Sequence, residues 1–135
     1  MIHTREAQLV EELRQATADL LYTSESDSAF VVFTWPGCDP PESALLARYS
    51  GHPPDTPVAE VDFEDFFRPL TGDQDWHGPE ERRIVERYRH VEALLRTHLS
   101  DLRVFRLGEV EVHIFIFGCS RWGNRVGLST RAVET

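Results

Sequence analysis

Apolar positions Leu9, Leu13, Ala16 and Leu20 recur at helical spacing between Thr4 and Leu21, with Thr4 as a cap and Glu6 in the first turn, where the helix dipole favours an anion. The spacing predicts an amphipathic helix. Tyr22 to Ala29 has no period and is rich in turn formers, so it reads as a loop. It leads into Phe30-Val31-Val32-Phe33-Thr34-Trp35, an apolar run expected to be a buried strand that stops at Pro36-Gly37. Asp39 as N-cap, prolines in the first turn, Glu42 at the third helical position and Gly51 at the end predict a short helix over 42–50. A stiff loop from His52 to Pro57, a short strand from Val58 to Val61, and a turn capped by Asp62 follow. That turn carries Phe63, Phe66 and Phe67 until Pro69 ends it.

The second half begins with a polar loop, Thr71 to Gly78, that presents Trp76 between Asp75 and His77. Pro79 then opens a helix with Glu80 and Glu81 in its first turn. Its apolar stripe is Ile84, Tyr88, Val91, Leu95 and Leu99. Leu102 to Leu107 and Val110 to Phe117 read as strands joined by a two-residue Gly108-Glu109 hairpin turn, and Val126 to Val133 as a third meander strand. Helix and strand alternate in the first half, and a helix precedes an antiparallel meander in the second. This order predicts one domain over residues 1–135, an α/β (α+β) fold with a mixed, largely antiparallel sheet and helices packed on it. Leu13, Phe33, Phe66, Tyr88, Leu95, Val112 and Ile114 should be buried.

Composition fits an ordinary globular domain, with 41% AVILMFWYC and 27% DEKR. Fourteen Lys+Arg against 23 Asp+Glu leave a net charge of −9, which repels nucleic-acid phosphates and anionic membranes and attracts a basic partner. Cys38 and Cys119 stand 81 positions apart without a ligand motif, and the expectation is two reduced thiols in a cytoplasmic protein. The start of the chain has no apolar signal-like core, and no stretch is apolar enough to span a bilayer. No GxGxxG, P-loop, HExxH or GxSxG motif is present, so the common catalytic and cofactor-binding classes have no signature here. Asp73, Asp75 and His77 alternate in one loop, but read better as a solvated acidic loop than as a cation site.

What catalysis would not require is an acidic loop with Glu25 at its tip, an exposed-looking Trp76, and a strand running to Thr135. These features suit a binding face, because tryptophan concentrates at interface hot spots and charges around it set register and encounter rate. Ser24-Glu25-Ser26, Gly51-His52, Val61-Asp62-Phe63 with Phe66-Phe67, Gln74-Asp75-Trp76, Arg106 to Glu111, Gly123-Asn124, and Ser129-Thr130 to Val133-Glu134-Thr135 resemble the nuclease A inhibitors. These are small intracellular bacterial proteins that neutralise a DNA/RNA non-specific nuclease, and the similarity covers nearly the whole chain.

The resemblance implies a three-layer α/β/α sandwich with no catalytic activity and no cofactor of its own. It implies a one-to-one complex with a sugar-non-specific endonuclease of the ββα-metal class, inhibited by a protein that mimics its substrate. The nuclease-binding residues it implies are Ser24, Glu25, Gln74, Asp75, Trp76, Glu134 and Thr135. Glu25 would pair with an arginine in the nuclease cleft, Gln74 to Trp76 would add contacts, and the terminal carboxylate of Thr135 would reach the partner's catalytic Mg or Mn. Cys38, Cys119 and Arg121-Trp122 depart from the family pattern and bear on partner specificity. The alternative is a small regulatory or ligand-binding domain of the same fold, and a rarer one is a hydrolase using His52 or His77.

Overall fold

The computed structural model describes residues 3–39, 41 and 43–135. Its elements in chain order are α1 (Thr4–Thr17), β1 (Leu21–Thr23), β2 (Asp27–Ala29), β3 (Val31–Pro36), α2 (Ser43–Ser50), β4 (Val58–Val61), α3 (Phe63–Thr71), α4 (Pro79–His98), β5 (Ser100–Leu107), β6 (Glu111–Cys119) and β7 (Asn124–Val133). Five strands form one sheet in the order β3-β7-β6-β5-β4, and every neighbouring pair is antiparallel. An isolated bridge, Gly37 to Asn124, is parallel. The fold is α+β.

Alternation along β6 divides the core. Val112, Ile114 and Ile116 join Leu13 of α1, Phe66 and Phe67 of α3, and Tyr88, Val91 and Leu95 of α4 in the larger apolar cluster. Phe115 and Phe117 point the other way and join Phe33, Leu107, and Leu46 and Ala47 of α2 in a smaller one. Successive side chains of a strand leave opposite faces, so a strand apolar at every position must be covered on both sides. All seven residues expected to be buried are buried. At Gly127 a Cβ would lie 2.0 Å from the carbonyl oxygen of Ile116, so only glycine lets β7 approach β6 this closely.

Several boundaries move for local reasons. His3, not Thr4, caps α1 through Nδ1, which accepts from the Arg5 amide, and the helix stops at Thr17. Asp62 caps α3 as expected, but the helix runs through Pro69 to Thr71. The expected first-turn positions of Pro40 and Glu42 lie outside the described residues. In α4 the inner position of the first turns is Val85, while Ile84 is 42% exposed. Gly108-Glu109 is not a two-residue turn. The last β5–β6 pair is Leu107 with His113, and Gly108, at φ 101°, starts a wider connection in which a Cβ would meet the Glu111 carbonyl oxygen at 2.3 Å.

Cys38 and Cys119 form a disulfide, correcting the expectation of reduced thiols. The register explains it. Cys119 pairs with Arg125, and Trp35 pairs with Arg125 from the other side. The Arg125 guanidinium then donates to the carbonyls of Asp39 at 2.7 Å and Pro36 at 3.4 Å, drawing the exit of β3 back over the sheet. The two Cα atoms end 5.5 Å apart. Disulfides persist mainly in oxidising compartments, so a cytoplasmic location loses the support that reduced thiols lent it. No described helix is long and apolar enough to cross a membrane.

Candidate partner-binding face

The segment read as a loop is a hairpin, β1 paired with β2 from Leu21–Ala29 to Thr23–Asp27, with Ser24, Glu25 and Ser26 at its tip. Ser24 builds the tip. Its amide donates to the Ser26 carbonyl at 2.8 Å, and its hydroxyl accepts from the Ser26 amide at 3.4 Å. The same hydroxyl accepts from the Val133 amide at 3.0 Å, and the Glu25 amide donates to the Val133 carbonyl at 3.2 Å. The hairpin is therefore stitched to the end of β7. Further back, Thr130 Oγ1 donates to the Ala29 carbonyl at 3.0 Å and the Tyr88 hydroxyl donates to the Leu21 carbonyl at 2.7 Å. Burial raises the Tyr88 pKa, as it raises that of Tyr22, so both phenols stay protonated and Tyr88 keeps its donor.

This stitching brings together residues 110 positions apart. Thr135 Oγ1 donates to both carboxylate oxygens of Glu25, at 2.7 and 2.9 Å, and both residues are exposed. Glu134 turns aside: its carboxylate pairs with the Arg106 guanidinium, and its amide donates to the Val110 carbonyl at 2.9 Å. Ser24, Glu25, Glu134 and Thr135 thus form one patch. Glu134 is the member whose charge is already partnered within the chain.

Gln74, Asp75 and Trp76 lie apart from that patch, on the connection between α3 and α4. The loop is closed by the His77 amide donating to the Gln74 carbonyl at 3.0 Å and by the Gln74 amide donating to His77 Nδ1 at 3.2 Å. Arg89 ties its base, donating to the Thr71 carbonyl at 3.0 Å and to Asp73 at 3.1 Å. Trp76 is 73% exposed, and its ring meets the His77 ring edge-on at 4.4 Å. Among the described residues no group of three or more His, Cys, Asp or Glu is arranged to hold a metal. A groove of about 460 Å³ is lined by Thr23 and Asp27 of the hairpin and by His77, Glu80 and Glu81 at and just before the start of α4. None of the predicted site residues lines it, although Thr23 and His77, next in sequence to the two patches, do.

Pattern reading missed the hairpin, because two three-residue strands carry no measurable period. It also missed Arg106 as partner of Glu134 and the acids Asp27, Glu80 and Glu81 beside the groove. The turn-rich string around Ser24 was the available signal for the hairpin.

Comparison with known proteins matches residues 7–135 to the sequence family described as NuiA, nuclease A inhibitor-like protein. No significant match was found among curated proteins.

Proposed function

Because the chain belongs to the nuclease A inhibitor-like family, we propose that it inhibits a DNA/RNA non-specific, metal-dependent endonuclease of the ββα-metal class by filling its basic cleft. The observation that carries this reading is the meeting of Glu25 and Thr135 at one exposed tip, held by hydrogen bonds of 2.7 and 2.9 Å. Glu25 takes a cleft arginine in a bidentate, charge-assisted pair. The Thr135 carboxylate, provided that the chain ends there, reaches the nuclease's Mg or Mn as a hard oxygen ligand in the place of a substrate phosphate. Gln74, Asp75 and Trp76 add contacts from their separate loop, with Trp76 the exposed aromatic. Glu134, paired with Arg106, positions Thr135 by fixing the residue before it.

The partner's charge should be opposite to this protein's −9, which speeds encounter. One inhibitor occupies one cleft. The test is a pull-down from source-cell cytosol and periplasm with an N-terminal tag, read by mass spectrometry. Recovery of a metal-dependent nuclease supports the proposal. Recovery of a small molecule or an unrelated regulatory protein, with no nuclease, overturns it in favour of a ligand-binding domain.

A further inference from the structure

On the α2 side of the sheet, a groove of about 450 Å³ lies between the hairpin, the end of α2 and the paired ends of β6 and β7. We propose that it binds a phosphate-type oxyanion, either free phosphate or the phosphoryl group of a monoester. This proposal is independent of the nuclease reading.

His113 is the first observation. It is only 8% exposed, it lines the groove, and its ring makes no hydrogen bond among the described residues. Its ring nitrogens are not sealed from solvent, so they open toward the groove, where a ligand can take the hydrogen bonds that the chain does not supply. Stacking on Phe115 at 5.3 Å fixes the ring, and His52 presents its own ring edge-on at 6.4 Å. Arg131 is the second observation. It is the cross-strand partner of His113, lines the same groove, is exposed, and makes no ion pair among the described residues. Ser26 and Ser28 add hydroxyls from the hairpin.

The chemistry selects an anion. Arg131 repels a cation, and no third ligand completes a metal set among the described residues. A guanidinium fork, two imidazoles and two hydroxyls offer donors from several directions, which suits a tetrahedral oxyanion better than a planar carboxylate. On a protein of net charge −9, Glu111 is the one acid lining this groove. The charged and titratable groups facing His113 are thus Arg131 on β7, His52 after α2 and Glu111 on β6. Burial first, then Arg131 and His52, lower the His113 pKa to about 4. A bound dianion offsets the repulsion by Arg131 and raises it.

The test is a sodium phosphate titration at constant ionic strength, followed by the imidazole resonances of His113 and His52 in NMR. One arm uses inorganic phosphate and a second a nucleoside 5′-monophosphate. Saturable shifts are expected, with the His113 titration moved upward. Tighter binding in the second arm identifies a monoester, and equal binding identifies free phosphate. Arg131→Gln, at an exposed position, should keep the fold and weaken binding about tenfold or more, and His52→Gln serves as a second variant. Shifts reproduced by sodium chloride alone, or unchanged in both variants, overturn the proposal.

Discussion

At the residue scale, Glu25 and Trp76 are exposed and contribute little to the core, so their removal should affect association and not folding. Glu25→Ala should weaken inhibition by about 2 to 5 kcal/mol, because it leaves a partner arginine buried and unpaired. Trp76→Ala should weaken it as well. Both should melt like the wild type, and a lowered melting temperature that tracks lost inhibition would contradict the assignment. His113 makes a separate prediction. Its folded pKa of about 4 lies below the ordinary 6.5, so the unfolded chain binds more protons between those values and stability falls as pH drops through that window. Urea unfolding from pH 7 to pH 4 should show a shallower acid decline in His113→Phe, and parallel curves would show that the ring carries no such penalty.

At the element scale, α4 organises the larger cluster. Leu95 is fully buried on it, and Leu95→Ala should cost about 2 to 5 kcal/mol, measured by denaturant titration. A cost below 1 kcal/mol would mean that this helix is not packed as described. This helix was legible from its 20 residues, because Pro79 marks the start and several turns repeat the apolar stripe. Ile84 and Val85 stand four and three residues before Tyr88, so spacing alone does not choose between them, and the structure buries Val85. β7 was legible from Val126 to Val133, since the residues alternate and the strand is long. The hairpin was not: its pairs extend over three residues, and what holds it is the distant Ser24–Val133 and Thr130–Ala29 bonding, which no local window contains. The site residues were named through the family resemblance. Periodicity alone put Glu25 on a loop and said nothing of Thr135 lying against it.

At the scale of the whole molecule, the disulfide ties positions 81 apart, and no local pattern could show that the segment leaving β3 meets the end of β6, two strands away in the sheet. Closing a loop of that length restrains the unfolded chain, so reduction should lower stability by about 4 kcal/mol. Guanidinium unfolding with and without reductant measures it, and identical midpoints would show that the link is dispensable. The terminus makes an opposite demand. Residues added after Thr135 should leave the melt unchanged, since the end is exposed, but replace a carboxylate by a neutral peptide carbonyl at the proposed metal-facing position. An N-terminal tag of equal size is the control. Equal inhibition by both tagged forms would leave Glu25 and the Gln74–Trp76 loop to carry binding alone.

Inhibition is read by titrating the Mg-dependent, sugar-non-specific nuclease activity of source-cell fractions with the purified untagged protein and following DNA hydrolysis. Hydrolysis should fall linearly to the metal-free baseline at one protein per nuclease, and the Glu25→Ala curve should lie about thirtyfold or more to the right. Hydrolysis that continues undiminished in every fraction at large excess of the wild-type protein would contradict the account.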